Sequence, residues 1–169
     1  MMFQQGALFS SLTVAENIAV PLCEHTQLSP KFIQEMALLK MALVGLPVNA
    51  SNKYPAQLSG GMIKRTAIAR ALALEPDILF LDEPTAGLDP TSAEAFDELI
   101  LQLKEALGLT VIIITHDVDL LWKVTDQVAV LANKSVLAMA PIAQLIQLDY
   151  PWLRKYFKGP RGRIRQSNR

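Results

Sequence analysis

A single cysteine, Cys23, is all the thiol chemistry the 169 residues carry, so no internal disulfide can form and the composition suits a reducing compartment. Net charge is lacking as well. The 16 basic side chains balance 16 acidic ones, which leaves no overall field to attract nucleic acid. No apolar run approaches the roughly 18 residues that a membrane span requires. The longest, Val136 to Ala143, falls far short, and Met1 to Leu12 lacks the basic start and long apolar stretch of a secretory signal. Internal repeats and low-complexity segments are also missing. Yet hydrophobic residues make up 51% of the chain, an excess that must be buried in its one expected core or against a partner. The one local charge imbalance is the tail, where Lys158, Arg161, Arg163, Arg165 and Arg169 occur without an acid. It suits either anionic lipid headgroups or a plain solvated arm.

Short β-branched runs alternate with longer helical ones, the pattern of a parallel sheet covered by helices. Thr13 with Glu16 makes a capping box that opens one helix, and Ser29-Pro30 opens a second that runs to about Gly45. A helix from Gly60 to about Leu74 is ended by Pro76, and the apolar strand Ile78 to Asp82 follows. Asp89-Pro90 starts a further helix that stops near Gly108. Thr110 to Thr115 is a strand, with a short helix after His116. Strands Asp126 to Leu131 and Ser135 to Met139 are expected to pair through Asn133-Lys134, before two short helical pieces.

Two stretches carry chemistry. Ile78 to Leu81 is wholly apolar and delivers Asp82 and Glu83 at its C-terminal end, the edge where open parallel sheets bind ligands. An aspartate there suits Mg²⁺ on a nucleotide, and the adjacent glutamate suits a general base. A buried strand that merely ends in acids fits the same residues. Leu58-Ser59-Gly60-Gly61-Met62 is sharper, because paired glycines permit close backbone approach and the amides at a helix start bind anions. An ordinary glycine turn before a helix is the competing interpretation.

In their order along the chain these stretches resemble the ABC-transporter ATP-binding subunits. Leu58 to Met62 resembles the signature loop of that family, Ile78 to Glu83 its Walker B strand with the catalytic glutamate, and Ala86-Gly87-Leu88-Asp89 its D-loop. His116, in Ile114-Thr115-His116-Asp117, looks like the switch histidine, and Phe3-Gln4-Gln5 with the segment to Asn17 is similar to the Q-loop. The resemblance implies an α/β, P-loop NTPase-like parallel sheet flanked by helices, with the N-terminal part of the core absent. It divides the chain into a Q-loop exit and helical subdomain over about 6–58, a core remainder over 59–140 and a helical, basic tail over 141–169. Glu83, His116 and Gln4 are then catalytic, Ser59, Gly60, Gly61, Met62 and Asp89 bind nucleotide, and Asp82 with Gln4 holds the metal. ATP and Mg²⁺ are the implied cofactors. Asp89 suits a plain helix cap equally well, an isolated Gln4 would be a surface residue, and a lone His116 at a strand end a capping or solvated one. Lys64 and Arg65 are read as the solvated face of the signature helix.

The family implies a second ATPase subunit in a head-to-tail dimer, transmembrane permease subunits and no nucleic acid. The stretch from about Gly6 to Gly45 would meet the permease at the cytoplasmic face of a bacterial inner membrane. Met62 in the signature loop, the Gly6 to Leu12 segment and the tail from Pro151 to Arg163 look like the ATPases of Mla-type transporters. Those move phospholipid and work with Mce-domain proteins. Alternatively, Trp152 and Tyr156 form an apolar subunit contact. No Gly-x-x-x-x-Gly-Lys-Ser/Thr run occurs in the 169 residues, so poor ATP binding by the isolated chain, and an uncovered apolar seam on its sheet, are expected. Two other classes fit less well. A soluble, non-transport ABC ATPase would bring a coiled-coil insertion or tandem domains, and a non-catalytic module would lend only its signature face.

Overall fold

Local polar chemistry starts each of the first two helices. In the computed structural model the Thr13 hydroxyl accepts from the Glu16 amide at 3.3 Å, and the Glu16 carboxylate accepts from the Thr13 amide at 2.7 Å, which opens α1 (Val14–His25). The Ser29 hydroxyl accepts from the Phe32 amide to open α2 (Pro30–Leu43). The structure describes residues 1–150 with Leu153, Tyr156 and Phe157, so the expected Trp152–Tyr156 face and the basic tail lie outside the described residues. The chain forms two units, Met1–Thr115 and His116–Arg169.

In the first unit α1 and α2 pack against each other and against α3 (Gly60–Ala71). Ile18, Leu22, Ala37, Met41 and Ile68 are buried there. Buried Asn17 fastens the loop ahead of α1. Its side-chain oxygen accepts from the Phe9 amide at 2.8 Å, and its amide group donates to the Leu12 and Thr13 carbonyls at 3.0 and 2.9 Å. The helix α3 ends at Ala71, three residues before the expected Leu74. Pro76 disfavours a helical conformation at Glu75, which instead takes φ 51° and reaches the buried Lys40 ammonium at 2.9 Å.

Strand β1 (Ile78–Asp82) is followed by α4 (Pro90–Leu107), and β2 (Thr110–Ile114) then pairs parallel with β1, from Ile78 opposite Thr110 to Asp82 opposite Ile114. Gly108, at φ 63°, terminates α4 in the left-handed conformation. Met2 adds a single parallel bridge on β1, with its amide on the Phe80 carbonyl and its carbonyl on the Asp82 amide. Leu79 and Leu81 are buried, whereas Ile78, Phe80, Ile112 and Ile114 are exposed, Ile114 to 64%. The apolar side chains of the sheet thus alternate between a packed face and an exposed one.

The second unit contains α5 (Val118–Val124), β3 (Val128–Ala132), β4 (Ser135–Ala140) and α6 (Ile142–Leu145). Asn133 and Lys134, at φ 52° and 62°, make the tight antiparallel turn that their position between the two strands predicts. Val118, Leu121, Val128, Ile142, Leu145, Leu153 and Phe157 form its core.

Candidate functional site

The acid pair stands where β1 stops. Asp82 still belongs to the ladder, its amide bonded to the Met2 carbonyl at 3.0 Å. Glu83 leaves it with φ 44°, a left-handed conformation that costs a side-chain-bearing residue about 1–3 kcal/mol. Several contacts hold it there. Its amide donates to the Ile114 carbonyl at 2.9 Å, its carbonyl accepts from the Lys64 ammonium and the Ala86 amide at 3.2 Å each, and its carboxylate accepts from the Thr115 hydroxyl at 3.1 Å. Strain maintained by this many partners marks a place where geometry matters more than local stability.

The glycine turn is built differently. Ser59 caps α3, its hydroxyl accepting from the Met62 amide at 3.3 Å, and the first intrahelical bond runs from the Ile63 amide to the Ser59 carbonyl. The Gly60 and Gly61 amides stand ahead of that bond, at the positive end of a 12-residue helix. Ser59 and Gly60 are exposed, and a Cβ placed on Gly61 would meet nothing within 4 Å. On Gly60 a Cβ would touch the Leu88 side chain at 3.4 Å, so the glycine turn and the Ala86–Asp89 turn are neighbours.

Asp89 caps α4: its carboxylate accepts from the Ser92 amide at 3.0 Å, and its hydrogen bonds with Ser92 lower its pKa. The side chain is exposed, so the capping role is realised without occupying the whole carboxylate. Gln4 is exposed in a turn closed by the Gly6 amide on the Phe3 carbonyl at 2.8 Å. The chain crosses α3 at Gly6, which sits at φ 76° and would bring a Cβ to 3.0 Å from the Ile63 side chain. His116 is the first residue of the second unit; it is exposed, and its carbonyl accepts from the Tyr156 hydroxyl at 3.0 Å. Gln4, Ser59, Gly60, Gly61, Met62, Asp82, Glu83 and Asp89 all belong to the first unit.

Lys64 and Arg65 correct the sequence reading. They are not a solvated face. Lys64 is buried, and its ammonium donates to the Gln4 carbonyl as well as to that of Glu83. Burial lowers its pKa, while the Glu83 and Asp82 charges act in the opposite direction. Arg65 is half-buried and donates to the Val44 carbonyl at the end of α2, at 2.6 Å. Arg70 donates to the Gly6 and Ala7 carbonyls at 2.8 and 2.9 Å and lies 5.8 Å from the Phe9 ring centre. Three cations of one helix thus serve backbone carbonyls. Sequence reasoning missed Lys64, Arg70, Thr115 and Asn17 as site-building residues. For Lys64 a signal existed, because it lies three and four residues before the buried Ala67 and Ile68, on the same helix face.

Asp82, at the end of β1, and Gln4, in its exposed turn, are the oxygen donors that the sequence assigns to a metal. Among the described residues no three His, Cys, Asp or Glu side chains converge, and Mg²⁺ is ordinarily held by one or two protein oxygens with substrate phosphates completing its shell. Open amides at Gly60 and Gly61 suit the phosphates themselves.

Residues 1–86 match the family described as ABC transporter. The chain is 40% identical over 159 residues to the intermembrane phospholipid transport system ATP-binding protein MlaF of Haemophilus influenzae, covering 94% of this chain and 60% of that one. The Escherichia coli protein of that name is also 40% identical, with 59% of its length covered. A probable ribonucleotide transport ATP-binding protein of Mycobacterium bovis is 37% identical, covering 95% of this chain and 45% of the relative. The chain therefore spans about 60% or less of the length of these curated relatives. Among solved structures, the dimer of an ATP-binding cassette in a post-hydrolysis state, bound to ADP and Pi, superposes with a TM-score of 0.73 at 34% identity, over 83% of this chain and 61% of that one.

Proposed function

Because the chain belongs to the ABC transporter family, we propose that it forms the hydrolytic and partner-facing part of an ATPase that energises phospholipid transport of the Mla type. The observation that carries this proposal is the Glu83 turn: a carboxylate at the ligand-binding edge of a parallel strand, kept in a strained conformation and oriented by Thr115.

ATP with Mg²⁺ supplies the cleavable phosphoanhydride. Asp82 and the Gln4 amide oxygen would hold the metal, and Glu83 would accept the proton of the attacking water, a role worth roughly 10² to 10⁴ in rate. His116 is included among the catalytic residues on its likeness to the switch histidine of the family. Across a head-to-tail dimer, the Gly60 and Gly61 amides with Ser59 bind the phosphates held by the partner subunit, and Asp89 lies at the same boundary. The solved relative is a dimer bound to ADP and Pi, which supports a paired arrangement. The helical segment over about 6–58 meets a permease, the core over 59–140 carries the chemistry, and 141–169 forms the tail. The chain sits at the cytoplasmic face of the inner membrane, and an Mce-domain protein is a further partner of the transporter. The name of the MlaF relatives supports phospholipid as cargo, whereas that of the mycobacterial relative favours a second cargo, ribonucleotides.

Backbone amides and a lysine around the β- and γ-phosphates come from a P-loop, and the 169 residues contain no such sequence. A polypeptide of these residues alone binds ATP weakly. Completing the cassette with a P-loop-bearing segment of a relative tests the assignment, since hydrolysis should exceed that of either piece. If ATP binds to the completed cassette but is not cleaved, the chain is a non-catalytic module that only lends its signature face. Reconstitution with the permease in vesicles then separates the two cargoes, because only the true one should accelerate hydrolysis.

A further inference from the structure

Lys64 has no task in this hydrolytic scheme, yet it is the least exposed cation of the first unit. It is 5% exposed, it projects from α3 one turn past the glycine loop, and it donates to two carbonyls that lie far apart in sequence, those of Gln4 and Glu83. Both carbonyls belong to peptides in turns. Gln4 sits in an exposed turn, and Glu83 is left-handed without being glycine. Charge-assisted bonds from one buried ammonium fix the two peptides relative to each other and to the helix whose first amides form the anion site. The neighbouring cations of α3 go elsewhere, Arg65 to Val44 and Arg70 to Gly6 and Ala7.

We propose that Lys64 is a positioning residue that couples the Gln4 turn, the Glu83 peptide and the glycine end of α3 into one unit, so that displacement of any of them moves the general base. The catalytic half of this inference rests on the ATPase reading; the coupling itself does not. Lysine suits the task because its ammonium donates up to three hydrogen bonds from a single atom, enough for two carbonyls on different segments.

The test uses amide hydrogen exchange on the full chain. Lys64→Met keeps the stem and removes the donors. Exchange at the Gly6 amide, which closes the Gln4 turn, and at the Ala86 amide, which shares the Glu83 carbonyl, should both accelerate about tenfold or more, the size expected for losing charge-assisted bonds. Arg65→Met serves as the control: it should accelerate exchange at Gly45 and Leu46, beyond the end of α2, and leave Gly6 and Ala86 unchanged. Acceleration at only one of the two reporters, or at neither, overturns the coupling. Should Lys64→Met not fold, Lys64→Gln, shorter and uncharged, replaces it in the same comparison, and the same two outcomes support or overturn the coupling. In the completed cassette Lys64→Met should lower kcat about tenfold to a hundredfold with KM for ATP kept, the signature of a misplaced group, and Lys64→Arg should recover part of the loss. A rise in KM alone contradicts the catalytic half. Glu83→Gln run alongside separates the two failures. If it hydrolyses ATP as fast as the parent, the ATPase reading falls and the exchange result stands; if it is inactive while Lys64→Met keeps full kcat, only the positioning role falls.

Discussion

The two turns of the candidate site are held in opposite ways. The acid turn at Glu83 is gripped through amide, carbonyl and carboxylate, by Ile114, Lys64, Ala86 and Thr115. The glycine turn at Ser59 to Met62 is fastened by its own cap, with open space at Gly61. Chemistry requires the first kind of construction, because a base must be aimed before the water arrives. Capture of a ligand from across a boundary requires the second, because backbone amides that point outward bind only what can approach them. The contrast between a locked turn and an open one is the physical content of the proposed function.

Changes at the locked turn should cost rate, and changes at the open turn should cost binding or capping. Glu83→Gln in the completed cassette removes the base and retains the shape; single-turnover hydrolysis should fall roughly 10² to 10⁴-fold with ATP binding retained. Thr115→Val deletes the hydroxyl on the Glu83 carboxylate. Losing one hydrogen bond to a charged group, about 1.5 kcal/mol, predicts a kcat lowered about tenfold, and an unchanged kcat would show that the carboxylate is aimed by other means. Ser59→Ala acts on the open turn, removing the α3 cap; chemical denaturation should register a loss of about 1 kcal/mol. Acid titration has the smallest and most diffuse effect. Hydrogen bonds from Thr13, Lys40 and Ser92 hold the Glu16, Glu75 and Asp89 carboxyls below their ordinary values. At these three groups the folded state therefore binds fewer protons than the unfolded one. This stability is present above the unfolded carboxylate values, near pH 4, and is lost as pH falls through the lower folded ones, so Tm should decline there and not between pH 5 and 7.

What the sequence made legible was local. The Thr13–Glu16 box, the Asp89 cap before Pro90, the stop at Gly108 and the Asn133-Lys134 turn each depend on residues a few positions apart, and each occurs as expected. The order of the motifs brought the acid pair and the glycine turn under one family resemblance, and the family match agrees with it. What failed depended on distant partners. Lys64 and Arg65 look solvated until the carbonyls of residues 4, 44 and 83 are brought to them, because a charge is buried only where the fold supplies acceptors. Likewise the Glu75–Lys40 ion pair joins residues far apart in the chain.

The bare face of the sheet also depends on what lies far away in sequence. Ile78 and Phe80 are as apolar as Leu79 and Leu81, with which they alternate, yet only the second pair is buried. Parallel sheets ordinarily have both faces covered, so the strand's composition records an environment that the described residues fill on one side only.

The division of labour between the turns is tested most directly by mixing this chain with an intact ABC domain and following single-turnover ATP hydrolysis. The intact domain brings its own P-loop and base, so this chain contributes only its partner-facing residues, the glycine turn and Asp89. The wild-type chain should accelerate hydrolysis, and Gly61→Val, with its folding checked by chemical denaturation, should give no acceleration, since its Cβ lies in open space at the glycine turn. Equal stimulation by the two would contradict that division.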